Sequence, residues 1–358
     1  MSTRRFAAPD DPALDQLYAD VAEADLQPLW TQEALMPGAP PIADVAYLWK
    51  WKTLRGLAES AGSLVPIDRG GDRRVLSLSN PGLGGLPYAT TTLWGAVQYL
   101  GPHEVAPAHH HTPAALRFVL EGEGVWTLVD GDPVSMSPGD LVLTPSWRWH
   151  EHHNPGDTPM LWFDGLDIPL VRALDAVFFE SGPDEMTNRA VDPVSGSEQW
   201  YAGAPGLVPV SGPAAGAPPM HSPLMAYRWL DTDRALAAQL AVTGRLDAAV
   251  RFSDPTSGAD VMPTLRCEMH RLLPGARTAT TRRTGSSIWV TFRGAARAVV
   301  DGQPFELEAG DMLALPSWAA FEVSAHETTD LFRVCDTPVL EALGLYRETT
   351  LAQQEELS

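Results

Sequence analysis

The sequence predicts a mainly β protein in which two related small barrels follow an N-terminal helical segment. Two stretches, from about residue 74 to 167 and from about 265 to 334, alternate short runs rich in Val, Leu, Thr and Trp with Gly, Pro and Asp turns. Strands this short and this regularly punctuated are typical of sandwiches and small barrels. A repeated motif indicates that both stretches share one fold.

The repeat is PGDLVLTPSW at residues 138–147, which returns as AGDMLALPSW at residues 309–318. The offset is 171 positions throughout this motif, and the Asp-Gly pair at residues 130–131 returns at 301–302 with the same offset. A fixed offset across separate matches is expected when one structural unit occurs twice.

The helices are predicted from local signals. Asp11 is a suitable N-cap and Pro12 a suitable first helical residue, and apolar residues follow at helical spacing until Pro28. Residues 171–180 (VRALDAVFFE) are predicted to form a short helix that closes the first barrel, and a further helix is predicted near Thr232–Val242.

We therefore expect four segments. They are an N-terminal helical arm (1–73), a first barrel (74–180), a linker with a helical connection (181–255) and a second barrel with a C-terminal tail (256–358). The linker is rich in Gly, Pro and Ser, as is typical of loops.

Composition excludes several classes of function. The chain has 358 residues and a formal charge of −20, and nucleic acids and anionic membranes select basic surfaces instead. Two cysteines are too few for a disulfide framework and fit a reducing compartment, so we expect a cytoplasmic protein. No signal peptide and no apolar run of about 20 residues is found, so we expect no membrane span.

Six of the ten histidines fall in two tight groups, at positions 109–111 and at 150, 152 and 153. On a strand, His109 and His111 face one way while His110 faces the other. A third imidazole from another strand would complete a set of three ligands. Histidine clusters also occur on solvated loops, but two clusters within one repeat favour a metal site.

The spacing around these histidines resembles that of the cupin superfamily. Gly139, Pro145, His150 and Asn154 match its second signature, although Trp147 stands where the family usually has Gly. Its first signature is matched by Gly101, His109, His111 and Gly122, but the usual glutamate ligand is absent near Ala115. The resemblance implies a bicupin, two double-stranded β-helix barrels, with His109, His111 and His150 as metal ligands.

The second barrel lacks this ligand set. His150 corresponds to Phe321, and His109 and His111 correspond to Thr281 and Arg283 when a one-residue deletion is included. We therefore expect one metal ion per chain and a structural or assembly role for the second barrel.

A closer resemblance is to the gentisate 1,2-dioxygenase family, which includes salicylate and 1-hydroxy-2-naphthoate dioxygenases. It is carried by residues 107–154, from PAHHHTPAALRFVLEGEG to SWRWHEHHN, and by LWFDGLDIPLV at 161–171. The resemblance implies one Fe(II) per chain, dioxygen as co-substrate, a small aromatic carboxylate substrate and a homo-oligomer, namely a homotetramer. Gentisate would be opened between its carboxyl-bearing and hydroxyl-bearing carbons to give maleylpyruvate.

The resemblance also implies roles for individual residues. Arg117 resembles the arginine that holds the substrate carboxylate. Its position six residues past His111 would place it on the same face of one regular strand. The remaining expected site residues are Trp94 and Gln98 against the ring, His152 and Asp164 for proton handling, and Arg69 and Arg73 at a basic entry. A rim salt bridge for Arg117 and a solvated turn for Arg69 and Arg73 are the alternatives.

Two alternatives for the function stay open. The same chemistry could act on salicylate, substituted salicylates or 1-hydroxy-2-naphthoate, because a few pocket volumes decide between them. More remotely, the chain could be a non-redox metal cupin, either an isomerase or a small-molecule binder. The absent glutamate ligand and the position of Arg117 favour the oxygenase.

Overall fold

The computed structural model describes residues 11–32, 35–70, 74–182, 192, 194–203, 207–210 and 220–351. The helices are α1 (Pro12–Glu23), α2 (Trp51–Leu64), α3 (Ile168–Ala173), α4 (Gly196–Tyr201), α5 (Trp229–Thr243) and α6 (Thr337–Ala342). The first strands are β1 (Tyr47–Trp49), β2 (Val75–Ser77), β3 (Trp94–Leu100), β4 (Val105–His111), β5 (Ala115–Glu121), β6 (Trp126–Val129), β7 (Asp132–Ser135), β8 (Leu141–Thr144), β9 (His150–His153), β10 (Met160–Leu166) and β11 (Phe179–Ser181). The later strands are β12 (Ala226–Tyr227), β13 (Asp247–Arg251), β14 (Arg266–Leu272), β15 (Thr281–Arg283), β16 (Ser287–Arg293), β17 (Ala296–Val300), β18 (Gln303–Leu307), β19 (Met312–Leu315), β20 (Phe321–Ala325), β21 (Thr329–Cys335) and β22 (Glu348–Thr350).

The first barrel consists of two antiparallel sheets, in the strand orders β12-β8-β5-β10-β3-β2 and β11-β4-β9-β6-β7. Inward side chains from both sheets form an apolar cluster, which includes Val119 and Trp162 from the larger sheet and Val134 and Met136 near the smaller one. The predicted double-barrel, mainly β architecture is confirmed by this barrel and its twin.

The second barrel repeats the plan with the orders β1-β19-β16-β21-β14-β13 and β18-β17-β20-β15-β22. The larger sheets of the two barrels share a core through their outward faces. There the Phe118 and Phe332 rings stack 4.2 Å apart, and Phe292 packs edge-on against Phe118 at 5.3 Å. Because Phe118 and Phe332 are fully buried, truncating either would cost about 3–5 kcal/mol.

The repeated Gly-Asp motif has the same structural role in both barrels. Asp140 accepts a hydrogen bond from the Trp229 amide at 2.9 Å, and Asp311 accepts one from the Trp51 amide at 2.8 Å. Each aspartate therefore caps the first turn of a long helix, α5 or α2. The preceding glycine, Gly310 in the second barrel, has a φ of +87°, and a Cβ there would overlap the Trp51 ring.

The segments between and before the barrels are integrated in a way the sequence did not predict. β1 precedes the first barrel along the chain but pairs with β19 of the second barrel. β12 precedes the second barrel but pairs with β8 of the first. β13, within the expected linker, also pairs with β14 of the second barrel. The expected arm and linker thus contribute strands to the two barrels.

The helix predictions are confirmed in two places and corrected in one. Asp11 caps α1 by accepting from the Ala13 amide at 2.9 Å, and α5 covers the predicted helix near Thr232–Val242. The short helix expected at 171–180 instead covers Ile168–Ala173. Pro169 lies in its first turn, and Asp175, with φ of +53°, follows its end. Within the described ranges, no helix is both long and apolar enough to cross a membrane.

Candidate metal centre and its surroundings

Two neighbouring strands of the first barrel bring three histidines together. β4 carries His109 and His111, and β9 carries His150, which is the direct cross-strand partner of His109. Alternation along each strand places all three on the inner face. One ligand nitrogen from each residue lies within 4.8 Å of the others, and among the described residues this is the group able to hold a metal ion.

Backbone carbonyls fix the orientation of each ring. The Nδ1 atoms of His109, His111 and His150 lie 2.9, 2.7 and 2.9 Å from the carbonyl oxygens of Pro107, Pro113 and Arg148. Since a carbonyl only accepts, each Nδ1 carries the proton and donates it. Each Nε2 is then a lone-pair donor, as a metal ligand requires.

Burial favours the neutral form of two of these rings, those of His111 and His150. Burial lowers the pKa of His111 to about 4, with smaller effects of the same sign from His109 and Arg117. Burial likewise lowers the pKa of His150 well below its ordinary value. The Nε2 of His150 is buried and has no hydrogen-bond partner within the protein. A buried lone pair without a donor is costly unless a ligand uses it, so the three residues fit a divalent metal.

The outer face of the same strands holds them in register. His110 points away from the centre, as the alternation predicts, and its ring lies between those of Trp147 and Trp149, at 3.9 and 3.8 Å. Its Nε2 is 2.8 Å from a Glu180 carboxylate oxygen. This stacked arrangement braces β4 where its ligands project inward.

Arg117 also faces the barrel interior, but the reason given from the sequence was wrong. β4 ends at His111, a turn separates it from β5, and the two strands belong to different sheets. Alternation therefore cannot be counted from His111 to Arg117. Arg117 faces inward because it shares a face of β5 with Val119, a member of the interior cluster. It lies opposite Asp164 on β10, and its Nε is 3.6 Å from Asp164 Oδ1.

Arg117 and Asp164 form a buried charged pair with incomplete hydrogen bonding. Arg117 also donates from a terminal nitrogen to Thr144 Oγ1, and Trp162 Nε1 donates to Asp164 Oδ1 at 3.1 Å. Burial raises the pKa of Asp164 to about 6, opposed by Arg117. The Nε of Arg117 is buried and lacks a hydrogen-bond partner. The interior therefore holds a cation with unused donor capacity.

His152 lies two residues beyond His150 on β9 and therefore on the same face of the strand. Its ring centroid is 6.0 Å from that of His150, and its Nδ1 is 2.8 Å from the hydroxyl of Thr127. Burial, then the charge of Arg117, lowers its pKa well below the ordinary value. His152 is therefore a neutral, buried imidazole beside the metal ligands.

The remaining predicted residues are placed as follows. Trp94 and Gln98 lie on β3 opposite Leu166 and Trp162, on the face that also carries Asp164. Gln98 is buried and Trp94 half-buried. Arg69 is exposed at the end of a 3₁₀ turn, and Arg73 lies outside the described residues.

Sequence reasoning missed four residues at the site. Thr144 orients Arg117, Thr127 bonds His152, Trp162 donates to Asp164, and the Phe179 ring stacks 5.5 Å from that of His109. Strand parity would have put Trp162 on the face of Asp164. The other three depend on pairings between strands far apart in sequence, which carry no local signal.

The second barrel has lost the ligand set, as predicted. Thr281 pairs with Phe321 across β15 and β20, as His109 pairs with His150 across β4 and β9. The Trp318 amide bonds the Arg283 carbonyl, as the Trp147 amide bonds that of His111. The same backbone thus presents threonine, arginine and phenylalanine in place of three histidines. Within the described part of the chain, fold and site define a bicupin with a three-histidine centre in its first barrel.

Comparisons with known proteins agree with this class. The cupin domain family model matches residues 96–168. Gentisate 1,2-dioxygenase of a Streptomyces species is 54% identical over 93% of this chain and 94% of its own length. A 5-aminosalicylate 1,2-dioxygenase of a Comamonas species is 33% identical over 95% and 91%. The crystal structure of salicylate 1,2-dioxygenase from Pseudoaminobacter salicylatoxidans with gentisate superposes with a TM-score of 0.92, at 47% identity and 98% coverage of both chains.

The chain belongs to the gentisate 1,2-dioxygenase family. It is an enzyme of the dioxygenase type, as the relatives are.

Proposed function

We propose that the protein is an Fe(II)-dependent dioxygenase that opens gentisate between its carboxyl-bearing and hydroxyl-bearing carbons to give maleylpyruvate. The observation that carries the proposal is the convergence of three imidazoles and one buried guanidinium in a single barrel interior. This set matches a substrate with a metal-chelating hydroxyl and carboxylate. Relatives named gentisate 1,2-dioxygenase, and a solved relative with gentisate, support the choice of substrate.

One Fe(II) would be held by the Nε2 atoms of His109, His111 and His150. Three neutral nitrogen ligands would leave the ion its full charge, and three protein ligands would leave it able to take substrate and dioxygen as well. When bound, Fe(II) supplies the redox chemistry through which dioxygen reacts with an aromatic ring. The carbonyls that accept from each Nδ1 keep the imidazoles oriented for this ion.

Arg117 binds and orients the substrate carboxylate. It is 4% exposed, and only part of its donor set is used by Thr144 and Asp164. A guanidinium offers a planar fork that fits a carboxylate, and in this strongly acidic chain it gives the interior local positive charge. Gln98 and Trp94 lie on the neighbouring strand β3, on the face that carries Asp164. Their role is to contact the substrate ring. The role of Arg69 and Arg73 as a basic entry is implied by the family resemblance alone.

His152 and Asp164 handle protons. His152 donates its Nδ1 proton to Thr127 when Thr127 bonds to Met136 Sδ, which leaves Nε2 as an acceptor. Asp164, with a pKa of about 6, changes its protonation near neutral pH. Their positions beside the ligands and Arg117 suit the transfer of a proton from a substrate hydroxyl.

The experiment is an oxygen-electrode screen of protein loaded with iron under anaerobic conditions. Gentisate, salicylate, 5-substituted salicylates and 1-hydroxy-2-naphthoate are compared, with His150→Ala as the control that lacks the centre. Rapid uptake with gentisate and formation of maleylpyruvate are expected. Uptake with salicylate or hydroxynaphthoate alone would move the protein to the alternative substrate, which the 5-aminosalicylate and salicylate relatives favour. No uptake with any of them would favour a non-redox metal cupin.

The assembly as a homotetramer and the cytoplasmic location are further parts of the proposal. They are supported by the resemblance to the family and by the scarcity of cysteine. Light scattering of the purified protein tests the first, and a mass near that of one chain would refute it.

A further inference from the structure

The interior of the second barrel contains a cavity that no metal site explains. Its volume is about 280 Å³, and its wall includes Thr281, Arg283, Trp289 and Phe321. A smaller cavity of about 20 Å³ shares these four residues and extends to Arg333. The combined space is at the lower end of the range for small-molecule sites.

This cavity lies where the first barrel holds its metal centre. Thr281, Arg283 and Phe321 occupy the backbone positions equivalent to His109, His111 and His150, as their strand pairing shows. The barrel has therefore kept the concave shape of a ligand site while exchanging its metal-binding side chains for a cation, a hydroxyl and an aromatic ring.

A buried charged pair forms the inner end. Arg333 is 6% exposed, donates to Glu268 Oε2 at 2.8 Å, and has a buried Nε without a hydrogen-bond partner. Glu268 is also 2.9 Å from His270 Nε2. Glu268 fixes the guanidinium in place, and the unpartnered Nε shows donor capacity that the protein itself does not use.

Aromatic side chains form the walls. The ring of Trp289 lies 5.0 Å from that of Phe321, and the Arg333 guanidinium lies 5.6 Å from the Trp289 ring centroid. Trp289 Nε1 donates to Ser287 Oγ at 3.1 Å, which fixes the indole. Rings held in this way suit a flat apolar ligand.

The polar lining selects the other end of such a ligand. Each arginine that lines the two cavities has a carboxylate partner: Arg271 pairs with Asp233 and Asp330, Arg283 with Glu348, and Arg333 with Glu268. These pairs leave Arg333 Nε buried and without an acceptor. An anionic oxygen is the acceptor that suits such a guanidinium donor.

We propose that the second barrel binds a small aromatic carboxylate without a metal ion, with its carboxylate toward Arg283 and Arg333 and its ring beside Trp289 and Phe321. The proposal does not depend on the substrate or the metal of the first barrel, because none of its contacts comes from that barrel.

Calorimetric titration of the full-length protein with benzoate tests this site. Phe321→Trp fills the cavity and keeps the ion pair, whereas the double variant R333M/E268Q removes both charges together and leaves neither buried alone. R297M/E306Q is the matched control, since it removes an exposed ion pair of the same barrel. We expect the wild type and the control to show one binding event that both cavity variants weaken by about tenfold or more. Benzamide, which lacks the charge, should bind about tenfold more weakly there.

Arg117→Met distinguishes benzoate binding in the first barrel from binding in the second. This variant should retain the binding event that Phe321→Trp weakens. Thermal unfolding of each variant checks that it is folded, and Phe321→Trp decides the result if the double variant is not. Equal number and affinity of benzoate events in the wild type and Phe321→Trp would overturn the proposal. Failure of ring cleavage in the oxygen assay would leave this comparison unaffected.

Discussion

Replacement of Arg117 by alanine is expected to leave the metal bound and to reduce catalytic efficiency toward gentisate. The side chain is 4% exposed and is the cation opposite Asp164. Removing one partner of a buried charged contact costs about 2–4 kcal/mol, which corresponds to roughly 30- to 900-fold in kcat/KM. Two carboxylates are affected, because the substrate loses its cation and Asp164 loses the charge that opposes the burial-driven rise in its pKa.

The assay is steady-state kinetics from the absorbance of the ring-opened product, with iron content measured on the same samples. Arg117→Lys should recover only part of the loss, because an ammonium lacks the planar fork. Thr144→Val is the matched control: it removes the hydroxyl that accepts from Arg117 but keeps the charge, so its loss should be smaller.

Two results would refute this reasoning. Wild-type efficiency in Arg117→Ala would move carboxylate recognition elsewhere, with Arg69 and Arg73 the next residues to test. Loss of iron together with activity would make Arg117 a structural support of the centre instead of a substrate ligand.

Three further predictions concern the metal, pH and packing. Elemental analysis should find about one iron per chain, lost in His150→Ala and kept in Phe321→Ala, and a value near two would contradict the loss of ligands from the second barrel. Burial raises the pKa of Asp167 to about 6, so its contribution to stability is present below pH 3.8 and falls as pH rises through 6. Relative to Asp167→Asn, the wild type should lose about 1 kcal/mol in urea unfolding between pH 5 and pH 7, and parallel curves would refute this. Gly310→Ala should lower the free energy of unfolding by about 2–4 kcal/mol because it adds an overlap with Trp51 to backbone strain. Gly302→Ala, also at positive φ but with open space, should lower it by about 1–2 kcal/mol. Equal losses would show that the Trp51 contact is irrelevant.

The sequence was sufficient for features that local patterns encode. Alternation on β4 placed His109 and His111 inward and His110 outward. The repeat identified Thr281 and Phe321 as the counterparts of His109 and His150, and the structure pairs them across β15 and β20. The cap at Asp11 was equally local. These predictions needed only the geometry of a single strand or helix turn.

The sequence was insufficient where distant strands meet. Arg117 lies opposite Asp164 only because β5 pairs with β10. Counting alternate residues from His111 predicted the correct face, but the count is invalid because it crosses the turn at 112–114 between two strands. The pairing of β1 with β19 has no local signal either. Register between non-consecutive strands depends on tertiary packing, which hydrophobic periodicity in one window does not contain.

The pairing of β1 and β12 with the opposite barrels has a consequence for synthesis of the chain. Tyr47 pairs with Ala314, more than 260 positions later, so β1 has no partner strand until that part of the chain is made. Strand β8 likewise remains an uncovered sheet edge until residues 226–227 leave the ribosome. Exposed strand edges invite pairing with other chains, and contacts this distant slow folding. The nascent first barrel is therefore vulnerable to aggregation until β12 is made, and β1 stays unpaired until β19 is made. A fragment that ends before residue 226 would keep the β8 edge exposed permanently.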